Sequence, residues 1–463
     1  MNNINYGNYR KNFLVLKYLR LLSSFTFLAL FSYIFIRSLD PFSAVTNYFL
    51  RFDPLIFLTN PKLDLIAIGG ITIILILTLL FGRFFCGWVC PLGTLIEIID
   101  FLNPFFRRRR KTRNPDFLLS RYPPSLFILA VTLPAIFFAP PILQFLHPNI
   151  WIIRIYSLSL PGIVFILILT ALSLISRRFW CRYVCPLGAL YGLISRFSLF
   201  SLKVDSCSFC RKCNSCPMAA VDYEKGNLYR NQCILCFEYE YSCPNRGFGY
   251  SVVFPKTSIE TEDYSKSRRR FLKDASIIAG GIAAGSLISA FRFPSRNRLL
   301  RPPGVLNETQ FVERCLRCFQ CVRSCPNEII KITGLEAGFS AFLTPHLSFA
   351  MYGCDFYCQV CQTVCPNEAI PLQPLYLKQI TPIGKAKIDT TQCIVFKKDT
   401  NCLVCEEFCP VPDKAIVPIK REKVVKGKKI TLRYPHVISS RCIGCGICEA
   451  NCPVEPTAIR VFA

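Results

Sequence analysis

Histidine is nearly missing from this chain. Three occur in 463 residues (His147, His346 and His436), and none follows a C-x2-C pair. That excludes a multihaem c-type cytochrome and leaves no paired ligands for haem b within a membrane. Neither G-x4-G-K-[ST] nor a strand-borne G-x-G-x2-G is present, so no nucleotide site is expected. Acidic residues are also few: 29 Asp+Glu stand against 55 Lys+Arg, a formal charge of +26. Charged residues make up 18% and hydrophobic ones 52%, below and above the globular norm. With a mean hydropathy of +0.36, the chain is neither disordered nor wholly suited to water. No acid/base or nucleophilic constellation stands out.

Cysteine is abundant, with 27 residues. The basic excess therefore reads as membrane topology plus uncounted thiolates, since a [4Fe-4S] group with four cysteinates carries about −2. Nucleic acid is not an expected partner; membrane lipid is. Apolar runs lie at Leu21–Ile36, Leu65–Phe81, Pro124–Pro140 and Pro161–Ile175, each close to bilayer length. Arg107 to Arg110, Lys111 and Arg113 follow the second run, and Arg177 and Arg178 the fourth. The positive-inside rule then puts the N-terminus, the 100–120 loop and the residues after Ile175 in the cytoplasm. A fifth apolar run, Ala275–Phe291, follows Ser267-Arg268-Arg269-Arg270-Phe271-Leu272-Lys273, which matches the twin-arginine export consensus. No A-x-A site follows it, so an uncleaved anchor is expected. Gly281-x3-Gly285 offers that run a packing face.

The expected fold class is an α-helical membrane domain of about five transmembrane helices plus α+β ferredoxin-like [4Fe-4S] modules. Its parts are a membrane domain over 1–200, a cytoplasmic module over 201–255, a twin-arginine linker and fifth helix over 256–300, and an exported four-cluster domain over 301–463. The location is an inner, cytoplasmic membrane of bacterial type.

Four cysteine sets in the last part share one grammar. Cys315, Cys318, Cys321 and Cys325 precede Pro326, and Cys442, Cys445, Cys448 and Cys452 precede Pro453, both as C-x2-C-x2-C-x3-C-P. Cys354, Cys358, Cys361 and Cys365, then Cys393, Cys402, Cys405 and Cys409, repeat it with a wider first gap. Three cysteines two residues apart wrap one cubane, and the fourth reaches its neighbour. Structural zinc favours separated C-x2-C pairs, and disulfides give no reason for this repeated spacing. Four [4Fe-4S] clusters are expected here. Because the outer two sets are intact and the inner two expanded, we pair first with fourth and second with third; sequential pairing is the alternative.

The 201–255 module is less regular. Cys207, Cys210, Cys213 and Cys216 precede Pro217, while Cys233, Cys236 and Cys243 precede Pro244. Tyr239 stands where an eighth cysteine belongs. One cluster takes Cys207, Cys210, Cys213 and Cys243; a second has Cys216, Cys233 and Cys236 and lacks a fourth thiolate. One or two clusters are expected. In the membrane domain, Cys86-x3-Cys90-Pro-Leu-Gly and Cys181-x3-Cys185-Pro-Leu-Gly recur, each behind Arg-Phe-aromatic. Two cysteines at i and i+4 share a helix face, so this duplication could gather four thiols as a metal, cluster or redox site near a quinone.

The paired C-x3-C-P-L-G motifs followed by a cytoplasmic ferredoxin unit resemble the NapH family, with relatives MauN, NosR and FixG/RdxA. The twin-arginine start and four-cluster domain resemble NapG, so residues 20–250 and 265–463 look like a fusion of the two. The resemblance implies quinol oxidation at the membrane, with the quinol pool as donor and an exported-side reductase or cytochrome as acceptor. A quinone-independent conduit from a cytoplasmic ferredoxin, and a maturation factor for a partner metalloenzyme, are the rival roles.

Overall fold

The computed structural model describes residues 6–38, 50, 52–58, 65–102, 127–132, 144–204, 216–222, 227–238, 248–252, 264–290, 299–338, 340–425 and 428–463. The chain divides into two compact units, one of Met1–Phe35 with Tyr48–Phe291, the other of Ile36–Asn47 with Arg292–Ala463. The first is mainly helical. A long helix runs from Tyr6 to Ser38, and apolar helices cover Leu65–Phe81 and Leu160–Ile175.

Among the described residues, one helical stretch, Leu14–Arg37, is long and apolar enough to cross a bilayer. Pro148–Tyr156 and Leu160–Ser173 pass the same test together but bend by 118° at their junction. The bend is built in: Leu158 has φ 49°, Ser159 caps the second helix, and Pro161 opens it. A Cβ on Gly162 would come within 2.3 Å of the Arg154 carbonyl oxygen, so glycine permits the fold-back. Leu65–Phe81 and Ala275–Leu287 are shorter apolar helices. The five expected spans thus reduce to one or two candidates by this measure. Of the Pro124–Pro140 run, residues 127–132 are helical and the rest lies outside the described residues. Gly281, on the helix Tyr264–Ala290, closes on residues 127–130: a Cβ there would sit 2.6 Å from Ala130 Cβ. The twin-arginine residues Ser267–Lys273 fall within that same helix.

The cysteine-rich parts are built on two-stranded antiparallel pairs. In the first unit, β1 (Phe200–Val204) pairs with β4 (Phe248–Val252), and β2 (Val221–Asp222) with β3 (Asn227–Leu228). The second unit holds β5 (Ile330–Ile332) with β6 (Pro345–Leu347), and the ten-residue hairpin of β8 (Ile416–Val425) with β9 (Lys428–Val437). There, β7 (Lys385–Ile388) pairs with β10 (Ile459–Phe462). The placement of the closing pairs is informative. β1 precedes Cys207 and β4 follows Cys243; β7 precedes Cys393 and β10 follows Cys452. Each closing pair therefore brackets two consecutive cysteine sets. The core of the second unit is correspondingly made of thiols and small aliphatics, with Cys315, Cys354, Cys361, Cys409, Cys442, Cys445 and Cys448 buried among Ile330, Phe349, Ile370 and Ile459.

Candidate iron–sulfur sites

In the second unit the thiols fall into four groups of three plus one. Cys315, Cys318, Cys321 and Cys365 line a single recess of about 370 Å³. The thiols that act most strongly on Cys361 are Cys354, Cys358 and Cys325. Those acting on Cys405 are Cys393, Cys402 and Cys452, and those on Cys445 include Cys409 and Cys442, with Cys448 facing the same pair. The fourth cysteine of each set thus joins the consecutive set. This corrects the nested pairing read from the sequence: first pairs with second, third with fourth. The physical reason is chain closure, because β7·β10 brackets the last two sets as one module.

The four groups also form a series. Cys321 lies within electrostatic reach of Cys361; Cys354 lies within reach of Cys445, and its amide donates to the Cys445 carbonyl at 2.7 Å; Cys448 lies within reach of Cys405. The sets thus run first, second, fourth, third in space. A shared device holds the fourth cysteines: Sγ of Cys365, Cys409 and Cys452 accepts an amide N–H from Ile370, Ala415 and Ala458 at 3.4, 3.4 and 3.3 Å. Such bonds favour the thiolate, but burial dominates. It pushes Cys354 and Cys405 up to about 12 and Cys365 and Cys445 up to about 11. Left to themselves these thiols stay neutral, and a positively charged partner is needed to ionise them.

Among the described residues, no three His, Cys, Asp or Glu side chains are gathered so as to hold a single metal ion. Tetrahedral zinc would need sulfurs roughly 3.8 Å apart, from Zn–S bonds near 2.3 Å. Thiols around a recess suit a larger, multi-iron group.

The loops around the middle cysteines are alike. Arg317 and Phe319 flank Cys318 with φ 52° and 66°, Gly444 and Gly446 flank Cys445 with 69° and 75°, and Leu235 and Phe237 flank Cys236 with 52° and 56°. The left-handed residues turn the chain tightly about one point. The 233–238 loop of the first unit therefore has the second unit's cluster-wrapping shape, and Cys216 joins it: Cys216, Cys233 and Cys236 line a recess of about 440 Å³. Cys207, Cys210, Cys213, Cys243 and Tyr239 lie outside the described residues.

The duplicated membrane motif folds differently from the expected shared helix face. Cys86 lies on the short helix Phe84–Trp88, which ends before Cys90; a new helix starts at Pro91. Likewise Cys181 sits on a π-helical turn, Trp180–Val184, and Cys185 caps the helix Pro186–Ile194. Proline breaks the first helix and opens the second. The second cysteine of each pair becomes the cap: Cys90 Sγ accepts from Gly93 N at 3.5 Å, and Cys185 Sγ from Gly188 N at 3.2 Å. This is the role of Pro-Leu-Gly. A Cβ on Gly93 would meet the Cys86 carbonyl oxygen at 2.9 Å, and one on Gly188 would meet Arg83 Nη2 at 2.6 Å. Cys181, Cys86 and Cys90 all lie within electrostatic reach of Cys185.

The arginine ahead of each motif crosses to the other half. Arg83 Nη2 donates to the Cys181 carbonyl at 3.3 Å, while Arg178 Nη1 lies 3.8 Å from a Gly93 Cβ position and its Nη2 donates to Glu97 at 2.7 Å. Glu97 also binds the buried Arg20 at 2.5 Å. Arg178 Nη1 and Trp180 Nε1 are buried and have no hydrogen-bond partner among the described residues. Buried donors without acceptors are costly; Arg178 lies within electrostatic reach of Cys181, so an anionic group held by these thiols would suit its guanidinium. The residues present fit an iron–sulfur group.

The 227–238 segment packs directly on this site. Arg83 Nη1 donates to the Asn231 carbonyl at 3.3 Å, and Trp88 meets Phe237 edge-on at 6.4 Å. Gly87 is the closest approach: a Cβ there would lie 2.2 Å from the Ile234 carbonyl oxygen. Gly87→Ala is expected to destabilise the first unit by about 1–3 kcal/mol, read as a lowered unfolding temperature in detergent. Gly69→Ala, where a Cβ meets nothing within 4 Å, is expected to leave that temperature unchanged.

A family model described as a 4Fe-4S binding domain matches residues 63–113 and 158–205, the halves that carry the duplicated motif. A second model of the same description matches residues 435–456. Ferredoxin-type protein NapG of Escherichia coli (strain K12) is 34% identical over 205 residues, 42% of this chain and 85% of that protein. The methylamine utilization ferredoxin-type protein MauM of Methylobacillus flagellatus is 33% identical over 196 residues, 40% of this chain and 76% of that one. The chain belongs to the NapG/MauM ferredoxin-type family. An uncharacterized protein of Methanocaldococcus jannaschii is 33% identical over 199 residues, 41% of this chain and 81% of its own length. No solved structure matches. The resemblance to NapH, NosR and FixG/RdxA rests on the C-x3-C-P-L-G motifs and the ferredoxin unit that follows them, and these matches do not show it. As a NapG/MauM-type ferredoxin the chain is an iron–sulfur electron-transfer protein.

Proposed function

We propose that this protein takes electrons from membrane quinol at the four-thiol site and passes them to a redox partner on the exported side of the membrane. Cys86, Cys90, Cys181 and Cys185 would hold one [4Fe-4S] group, the four sequentially paired sets of the second unit four more, and the 201–255 module one or two. Bound there, such groups supply one-electron chemistry at potentials set by burial and by hydrogen bonds to sulfur. The apolar runs, the basic loops and the twin-arginine sequence support a multi-pass anchor with residues 301–463 exported.

The observation that carries the quinol reading is Tyr191. This buried phenol stands on the helix that starts after Cys185, and it lies within electrostatic reach of Cys86, Cys90 and Cys185 and also of Asp53. Asp53 is 3.1 Å from His147 Nε2 and accepts from Asn149 Nδ2 at 2.8 Å, all three being buried. The thiols and the Asp53–His147 pair are thus both within reach of one side chain, which supports a site that takes electrons and protons from a hydroquinone. The test is anaerobic: reduced quinol should bleach the cluster absorption band of the purified protein. His147→Gln should slow that bleaching roughly a hundredfold without changing iron content. Reduction by a low-potential ferredoxin, with quinol inert, would refute the quinol reading and favour a conduit.

Ligation also fixes the response to acid. Burial holds the Cys365 and Cys445 thiols protonated below about 11, so an iron–thiolate bond at either displaces one proton. Cluster retention therefore weakens as pH falls and strengthens as it rises. Chelator-driven bleaching should be faster at about pH 6 than at about pH 8, measured as loss of the cluster absorption.

A further inference from the structure

The second recess of the 201–255 module lacks a thiolate where Tyr239 replaces cysteine, yet its loop has the cluster-wrapping shape. Three thiols line it, Cys216, Cys233 and Cys236, and one carboxylate-bearing residue lines it with them, Glu238. The equivalent position two residues after the middle cysteine in the second unit is Gln320. Gln320 lines the recess of Cys315, Cys318, Cys321 and Cys365, and its side-chain oxygen lies 3.7 Å from Cys318 Sγ. At this point in the loop a side chain of that length folds back onto the thiols. Glutamate has the reach of glutamine and adds a negative charge. The Glu238 charge also acts on Cys236, which places the carboxylate beside the thiols it would complement. Carboxylate oxygen is an established ligand type for iron.

We infer that Glu238 supplies the fourth ligand of this cluster, making it a [4Fe-4S] group with three thiolates and one carboxylate. The inference rests on the proposed reading that the module holds clusters. The full-length protein, purified anaerobically, provides the test through iron analysis, electron paramagnetic resonance and Mössbauer spectroscopy. The oxidised wild type should show no three-iron signal. Glu238→Gln should lose about one iron per chain and gain the paramagnetic signature of an oxidised [3Fe-4S] group, and Glu238→Cys should restore the four-iron state. A three-iron signal already present in the wild type would overturn the inference. So would a Glu238→Gln protein identical to wild type while Cys233→Ser loses the whole cluster, an outcome that leaves the cluster reading standing. If Cys233→Ser loses no iron, the cluster reading at this recess fails and the ligand assignment with it.

Discussion

Cys185→Ala is expected to cost the protein about four irons per chain and to abolish bleaching by quinol, the largest functional effect foreseen for one substitution. Two roles end together in that variant. Cys185 lies within electrostatic reach of the other three thiols, and its sulfur also caps the helix Pro186–Ile194 through Gly188 N at 3.2 Å. Losing a cap costs about 1 kcal/mol, so an alanine variant alone would mix local unfolding with loss of a ligand. Cys185→Ser separates them, because a hydroxyl still caps. We expect Cys185→Ser to unfold at a higher temperature than Cys185→Ala and yet lack the same four irons. Full iron content in both variants would show that the duplicated motif is a packing device. The same comparison at Cys90, whose sulfur accepts from Gly93 N at 3.5 Å, should give the same split.

Cys365→Ala is expected to empty the site of Cys315, Cys318 and Cys321, not that of its own set. The four thiols share one recess, so Cys318→Ala and Cys365→Ala should each lose about four irons, and the double variant no more than either. Nested pairing would put Cys365 with Cys393, Cys402 and Cys405 and make the losses add to about eight. Cys325→Ala should likewise act on the site of Cys354, Cys358 and Cys361. Iron per chain, measured on the three variants side by side, decides between the arrangements.

These contrasts show where the sequence was informative. Local spacing announces local shape: C-x2-C-x2-C implies a tight loop, and the left-handed residues about Cys318 and Cys445 are that loop. Which fourth cysteine completes each group is a long-range matter, decided by the β7·β10 closure, and cysteine spacing carries no trace of strand pairing. The expectation that Cys86 and Cys90 share a helix face applied helical periodicity across Pro91, where the helix must break. The membrane runs were visible as composition, but hydropathy does not record a turn such as Leu158–Gly162, which folds the fourth run back on the helix Pro148–Tyr156. The repeated Arg-Phe-aromatic lead marks Arg83 and Arg178 as matched residues. Nothing in that lead says that each arginine serves the opposite half.

That exchange makes each half incomplete without the other. Arg83, Cys86, Cys90 and Gly93 recur at one constant offset as Arg178, Cys181, Cys185 and Gly188. Either half alone offers two sulfurs and lacks the guanidinium that the other half supplies. Two halves joined in one chain need not be identical. At one matched position the first half now carries Glu97, which binds Arg178, and the second carries Gly192, past which Arg83 reaches the Asn231 carbonyl. Broken symmetry at that position gives the site a direction, with one flank turned toward the neighbouring ferredoxin module.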